Sequence, residues 1–158
     1  MPSPQTFFLQ IVFCLLVEDL AFYAAHRLLH TRWLYSWTHK IHHEFKNPIA
    51  ISAIHVHPIE FVIGNVLPQM VGASILGHRM HLASFFGLLF VRSWEGIDGH
   101  CGYSLSWSPF RLLPLQPEGD YHDFHHEGNV GNYGSFTKIW DTVFGTNTSY
   151  YSQKDKTA

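Results

Sequence analysis

Three long apolar stretches occupy much of the first hundred residues of the chain. The first begins with FFLQIVFCLLV at residues 7–17 and continues through Glu18 and Asp19 without a helix breaker, which predicts one helix from about Thr6 to His30. Its uninterrupted apolar part is shorter than the roughly 20 residues that span a bilayer. No Lys or Arg precedes it, so it lacks the pattern of a secretory signal.

The second and third stretches have polar interruptions. The second, Ile59 to Gly77, is about as long as a bilayer-spanning helix, and Pro68 within it is expected to kink the helix. It also contains three polar residues: Glu60, Asn65 and Gln69. The third, Leu82 to Trp94, carries Arg92 near its end. Both patterns favour membrane-embedded or re-entrant helices over core helices of a very apolar soluble fold.

Shorter amphipathic segments follow, at residues 34–45, 120–127 and 136–144. Residues 104–120 contain three prolines and predict an irregular connection. The whole pattern predicts an all-α integral membrane protein with a single domain over residues 1–158. Its tail is polar from about residue 147, and the final residues SQKDKTA are expected to be frayed.

The composition supports an apolar environment. Only 14% of the residues are charged, whereas about a quarter are charged in a typical soluble domain. The ten Lys and Arg residues are scattered, which excludes the basic footprint of a nucleic-acid-binding protein. The two cysteines, Cys14 and Cys101, are too few for a disulfide framework and are interpreted as small apolar residues.

Histidine is the most over-represented residue, with 13 copies, and eight of them lie in three short motifs. HRLLH places two histidines at i and i+4, and the pattern His-x-x-His-His occurs twice, in HKIHH and HDFHH. A lone histidine on an apolar helix is more often a core or surface residue than a ligand, but eight at ligand spacing favour a shared metal site. The eight are His26, His30, His39, His42, His43, His122, His125 and His126.

Eight nitrogen ligands exceed what one ion accepts, so the motifs predict two metal ions. Further ligands are expected from His100 in GHCGY and, less strongly, from His57 in HVHPIE. The other histidines, His55, His78 and His81, are expected to be structural or on the surface. Imidazole suits Zn, Cu, Fe and Ni. Iron is favoured because neutral ligands in an apolar pocket leave the cationic charge free to bind anionic oxygen species, and zinc stays an alternative.

Several acids and one tyrosine are expected to support the ligands by accepting the second ring N–H of a histidine. Asp19 and Tyr23 share a helical stripe with His26 and His30. The other expected supporting residues lie next to the histidines in sequence: Glu44, Asp98 and Asp123.

The motifs HRLLH, HKIHHEF, HPIE, HCGY, HDFHH and GNYGSFTKIWDTVFGT together resemble the C4-methylsterol oxidases of the fatty acid hydroxylase superfamily, over residues 18–146. The resemblance implies a helical membrane enzyme of the endoplasmic reticulum with a di-iron site that faces the cytosol, activates O2 and hydroxylates an unactivated C–H bond. It also implies a sterol substrate oxidised at its C-4 methyl group, with electrons from NAD(P)H through cytochrome b5 or a similar carrier.

Three features bear on this resemblance. Ser104 follows HCGY where several relatives carry His or Asp, which would remove a ligand or a supporting contact. The chain begins 25 residues before His26, whereas family members usually have additional helices there, so a truncated form or short isoform is expected. The final residues KDKTA resemble the lysine-based retrieval signals of endoplasmic reticulum proteins, which require a cytosolic C-terminus.

Three other functions fit parts of the pattern. A hydroxylase or desaturase of another sterol or a fatty acyl lipid would use the same histidine motifs. A zinc-dependent hydrolase would use paired metals to activate water, and it would require carboxylates that bridge the metals. A non-catalytic relative would keep the metals for folding only.

Overall fold

The computed structural model describes residues 1–117 and 119–157, and within them it contains helices and irregular segments but no strand, which confirms the all-α fold. Glu118, in the predicted irregular connection, and Ala158, at the end of the KDKTA tail, lie outside the described residues. Helix α1, Pro4–Leu29, agrees with the predicted first helix to within two residues. Its N-terminus is capped by the hydroxyl of Ser3, which accepts from the backbone N–H of Thr6.

The second apolar stretch forms a continuous helical segment, Pro58–Arg79. It consists of α3 (Pro58–Glu60), a π-helical segment (Phe61–Val66), α4 (Leu67–Leu76) and a 3-10 turn (Gly77–Arg79). The kink expected at Pro68 therefore takes the form of the π-helical segment just before it. Pro68 has no N–H, so it cannot donate a hydrogen bond to a carbonyl of the preceding turn.

The third apolar stretch is helix α5, Leu82–Gly99, which extends five residues beyond the predicted end at Trp94. Helix α1 packs against both α4 and α5. The contact with α4 is close because a Cβ atom on Gly72 would lie 2.8 Å from the Cα atom of Cys14. Small residues at such contacts allow apolar helices to approach closely.

We expect Gly72→Val to lower the stability of the helix bundle by about 1–3 kcal/mol, because the new side chain would meet the backbone of α1 and not a flexible side chain. The melting temperature of the purified protein in detergent would show the loss. Gly96→Ala on α5 is the matched control, since nothing lies within 4 Å of the added Cβ atom. Equal melting temperatures for Gly72→Val and the unmodified chain would contradict the packing described here.

Two segments, Pro4–Leu29 and Pro58–Arg79, are long and apolar enough to cross a membrane. Large apolar side chains on them point away from the protein, among them Phe8, Leu16 and Ile75, each more than 60% exposed. Such contiguous apolar surfaces suit lipid tails better than water. Trp33 and Trp37, just after α1, are also exposed, as tryptophans at a membrane–water interface are.

The remaining elements are short. The predicted helix at residues 34–45 is instead divided into α2 (Arg32–Leu34), a π turn (Tyr35–His39) and a 3-10 turn (His42–Glu44). Two further 3-10 turns and three helices complete the chain: Ala50–Ile54, Pro109–Leu112, α6 (Gly119–Gly128), α7 (Ile139–Phe144) and α8 (Thr148–Thr157).

Helix α8 covers most of the predicted polar tail, including residues 152–157 of SQKDKTA. Tyr150 at its first turn is buried and donates a hydrogen bond to Asp120 of α6, with the two oxygens 2.9 Å apart. The ring of Tyr150 also packs edge-on against Tyr121. These contacts anchor α8 to α6. The sequence of α8 is itself polar, so its composition did not predict a packed helix there.

Candidate metal centre

The structure brings nine of the ten predicted ligands into two adjacent groups, each with its ligand atoms within 4.8 Å of one another. The five-histidine group consists of His26, His30, His39, His43 and His125. The four-histidine group consists of His42, His100, His122 and His126. Among the described residues both groups contain imidazoles only.

Each His-x-x-His-His motif contributes to both groups. In HKIHH, which has π-helical and then 3-10 geometry, His39 and His43 join one group while His42 joins the other. On α6, His125 joins the five-histidine group, whereas His122 and His126 join the four-histidine group. The two groups therefore share their supporting backbone and lie side by side.

Backbone carbonyls fix the orientation of several rings. A carbonyl oxygen only accepts, so the histidine Nδ1 atom in each of these contacts carries the proton and leaves Nε2 with a free lone pair. The four contacts are His26 to Tyr133 (2.8 Å), His100 to Gly96 (2.7 Å), His125 to Gly131 (2.5 Å) and His126 to Phe45 (2.9 Å).

The spacing of the Nε2 atoms fits a bound cation. His26 and His39 have their Nε2 atoms 3.1 Å apart, although the Nδ1 proton of each ring is already donated, to the carbonyl of Tyr133 and to the carboxylate of Glu60. Two lone pairs cannot hydrogen-bond to each other, whereas a metal ion between them satisfies both. Neighbouring ligands at right angles around a metal with bonds of about 2.0–2.1 Å would have about this separation.

Burial keeps these imidazoles neutral, which is the state that binds a metal. It lowers the pKa of His43 to about 3 and the pKa of His100 to about 4. The pKa values of His42, His122 and His125 also lie well below their ordinary value, first because of burial and then because of neighbouring histidines.

These pKa shifts predict acid sensitivity. In the unfolded chain each histidine binds a proton near pH 6.5, but in the folded protein His43 and His100 do so only near pH 3 and pH 4. Their contribution to stability is therefore complete above about pH 6.5 and declines as the pH falls from there, by about 1.4 kcal/mol per pH unit for each histidine. We expect a constant melting temperature from pH 8 to 7 and a steep fall below pH 6.5. A flat profile down to pH 5 would contradict this.

Glu60 is the acid that contacts a ligand, and the sequence did not single it out as a supporting residue. Its Oε1 atom lies 2.6 Å from Nδ1 of His39, and both side chains are buried. The carboxylate fixes the tautomer of His39 and raises the basicity of its Nε2 atom. An acid inside an apolar helical stretch was the signal available in the sequence, since such a residue requires a buried partner.

None of the five residues predicted to support the ligands hydrogen-bonds a histidine of either group through its side chain among the described residues. Asp19 accepts from the backbone N–H and the hydroxyl of Thr137, at 2.9 and 2.6 Å. It precedes His26 by seven residues, which is about 10 Å along a helix and too far for a contact. Tyr23 hydrogen-bonds the hydroxyl of Thr146 at 3.1 Å.

The side chains of the other three predicted supporting acids also make no hydrogen bond to a histidine of either group within the described part of the chain. Glu44 pairs with His55 and Asp98 pairs with Arg111, each at 2.9 Å. The Oδ1 atom of Asp123 is buried without a hydrogen-bond partner among the described residues. Proximity in sequence to a ligand was therefore a poor guide to contact.

His57 is the predicted ligand that the structure leaves outside both groups. Its backbone is extended at the start of α3, and its Nδ1 atom accepts a hydrogen bond from the backbone N–H of Ile59 at 3.2 Å. It therefore acts as a helix cap. The three histidines expected to be structural or on the surface, His55, His78 and His81, also lie outside both groups.

Asp141 holds the loop that contains Gly131 and Tyr133, whose carbonyls accept from His125 and His26. The sequence did not reveal this role. It is fully buried and accepts from the backbone N–H groups of Tyr133 and Gly134, at 2.8 and 2.6 Å. It also accepts from the hydroxyl of Thr146 at 2.6 Å. Asp141 thus positions His26 through the loop, without contacting a ligand itself.

A cavity of about 360 Å³ borders both histidine groups. His26 and His39 line it from one group, and His42, His100 and His122 line it from the other. The rest of its wall is mainly apolar and comes from α1, the segment of residues 53–69 and α5. An apolar molecule in this cavity would lie directly against the metal centre.

The chain is similar to several known proteins. It shares 35% identity over 153 residues with methylsterol monooxygenase 2-2 of Arabidopsis thaliana, covering 95% of this chain and 56% of that protein. For methylsterol monooxygenase 1 of Gallus gallus the identity is 35% over 156 residues, covering 99% and 52%. For the very-long-chain aldehyde decarbonylase GL1-11 of Oryza sativa subsp. japonica it is 36% over 148 residues, covering 92% and 54%.

The chain thus spans just over half the length of these curated relatives. No solved structure shows significant similarity to it. The fatty acid hydroxylase family model matches residues 11–146, which contain every histidine of both groups. This match agrees with the resemblance found in the sequence motifs. The chain belongs to the fatty acid hydroxylase family.

Proposed function

We propose that this protein is a membrane di-iron oxygenase that hydroxylates an unactivated C–H bond of a lipid, and that its substrate is the C-4 methyl group of a sterol. The observation that carries the proposal is the pair of all-histidine groups beside one apolar cavity, between segments long and apolar enough to cross a membrane. The similarity to two methylsterol monooxygenases supports the sterol as substrate.

The ligand chemistry supports two iron ions, one held by His26, His30, His39, His43 and His125 and the other by His42, His100, His122 and His126. When bound, iron would supply the reduction and activation of O2. Zinc fits the same nitrogen ligands, but a zinc hydrolase requires carboxylates that bridge the metals, and no carboxylate belongs to either group among the described residues.

The chain's own residues orient the reactants and exclude water. Backbone carbonyls and Glu60 fix the histidine rings, and the apolar wall of the cavity binds the lipid. Insertion of one oxygen atom into a C–H bond uses one O2, two electrons and two protons, and it yields an alcohol and a water. We propose that the electrons come from NAD(P)H through cytochrome b5 or a similar carrier.

The proposed location is the endoplasmic reticulum membrane, with the metal centre and the C-terminus on the cytosolic side. Trp33 and Trp37 lie in the segment between His30 and His39, which supports a centre at the membrane–water interface.

A second function, the conversion of a long-chain aldehyde, is favoured by the similarity to the rice aldehyde decarbonylase, which equals the similarity to the sterol enzymes. The two candidates share a metal centre and an apolar substrate. They differ in whether the lipid is a rigid ring system with a hydroxyl group or a flexible chain with a terminal carbonyl. Direct comparison of the two substrates therefore separates them.

The test is metal content and O2-dependent turnover of the full chain, purified in detergent and supplied with cytochrome b5, its reductase and NADH. We expect about two irons per chain, from the two ligand groups, and a product oxidised at C-4 of a 4-methylsterol. Turnover of a long-chain aldehyde alone would favour the second function. Metal without turnover of either lipid would contradict both and favour a non-catalytic role.

A further inference from the structure

Two amide side chains on the cavity wall have no assigned partner. Asn65 and Gln69 both line the cavity, four residues apart on the segment Pro58–Arg79. Neither side chain has a hydrogen-bond partner among the described residues. Polar side chains in segments that cross a membrane are costly, and where they occur they face a cavity or a partner and serve a function.

Most of the other polar groups on the wall are already bonded within the protein, and the exceptions among the described residues include the hydroxyl of Ser93 and the Oε2 atom of Glu60. Glu60 is bonded to His39. Arg92 is paired with Glu18 and Glu95, and Ser135 donates to Glu95. The amides of Asn65 and Gln69 are therefore available to a molecule in the cavity, and each offers both a donor and an acceptor.

The two amides lie on the same helical segment as Glu60, the residue that contacts His39 of the metal centre. Asn65 follows Glu60, the partner of His39, by five residues, which is at most about 8 Å along the helix. Helical side chains lean towards the N-terminus of their helix. The N-terminal end of this segment is the end at Glu60, so the side chains of Asn65 and Gln69 lean towards the metal centre.

We propose that Asn65 and Gln69 form a hydroxyl-binding subsite that holds the ring hydroxyl of a sterol beside the carbon that is oxidised. This inference rests on the proposed function. In a 4-methylsterol the hydroxyl is on the ring carbon next to C-4, so a hydrogen bond to it would fix the methyl group at the metal centre. A few polar groups in an apolar cavity commonly set the orientation of a ligand in this way.

The subsite would also explain how the cavity selects among lipids. A site built to hydrogen-bond a hydroxyl rejects analogues without it, because its own polar groups are then left without partners. A fatty acyl chain offers no hydroxyl at this position. Asn65 and Gln69 would therefore favour a sterol over such a chain.

The test compares the affinity of the metal-loaded full chain for a 4-methylsterol with its affinity for the same sterol lacking the ring hydroxyl. We expect the unmodified protein to bind the hydroxylated sterol at least about tenfold more tightly. The double variant Asn65→Leu with Gln69→Met should bind both sterols alike, with an increased KM for the hydroxylated sterol and an unchanged metal content. Ser74→Ala, on the same segment but outside the cavity, is the matched control.

Either of two results would overturn the subsite: equal affinities of the unmodified protein for the two sterols, or an undiminished preference in the double variant. If the double variant loses metal, the single variants Asn65→Leu and Gln69→Met are used for the same comparison. If the protein oxidises the sterol but the variant keeps its preference for the hydroxylated sterol, the subsite is contradicted and the proposed function still stands. A preference that depends on the amides, without turnover, would keep the subsite and remove the proposed catalytic role.

Discussion

Replacement of His125 by alanine is expected to reduce the metal content from about two ions per chain to one or fewer and to abolish turnover. His125 is fully buried and its Nε2 atom lies 3.1 Å from that of His30, within the five-histidine group. Its removal leaves a ligand vacancy inside a packed protein, where no other side chain can move in. Metal analysis and an oxygen-consumption assay on the purified variant would measure both effects.

His57→Ala is the matched control for this experiment. His57 was also predicted as a ligand, although less strongly than His100, but it acts as a helix cap outside both groups. We expect this variant to keep its metal and its activity, with a loss of stability of about 1 kcal/mol at most. Full metal content in His125→Ala, or metal loss in His57→Ala, would show that the two groups are drawn incorrectly.

Asp141→Ala is expected to lower the affinity for metal by about 10-fold to 100-fold, the effect typical of residues that orient ligands. The carboxylate is bonded to two backbone N–H groups and a hydroxyl. Each N–H left buried without a partner would cost about 1–3 kcal/mol. The loop would shift in response, and with it the carbonyl that orients His26.

Competition with a chelator of known affinity would measure this change. Asp141→Asn keeps one acceptor oxygen and nearly the same volume, so its affinity should lie between those of the alanine variant and the unmodified protein. Asp155→Ala, an exposed acid on α8, is the control and should leave metal affinity unchanged. An alanine variant at position 141 with unchanged metal affinity would mean that the loop holds its shape without the carboxylate.

The sequence predicted which histidines come together better than it predicted how they are arranged. His26 and His30 join one group as expected, because i and i+4 spacing on a helix is a local property. The division of HKIHH and HDFHH between the groups was not predicted. In both motifs the histidines at i and i+4 share a group and the histidine at i+3 joins the other, but the sequence alone does not say which other elements complete each group.

The contacts that orient the ligands were harder still to predict. Most are backbone carbonyls, such as those of Tyr133, Gly131 and Phe45, and every residue carries a carbonyl. The acids that do participate, Glu60 and Asp141, are far in sequence from the ligands they support. Asp19, by contrast, lies on the expected helical stripe, but the length of the helix between it and His26 prevents a contact.

The contribution of both ends of the chain to each histidine group sets an order of events during biosynthesis. The five-histidine group needs His26 and His125, and the four-histidine group needs His42 and His126. Neither group is complete until α6 has left the ribosome, by which time α1, α4 and α5 have already been made. Insertion of the proposed metal ions would therefore be a late step. In a cell short of metal, the chain would accumulate with its apolar helices in place and its buried imidazoles without partners, and membrane quality control would be expected to degrade it.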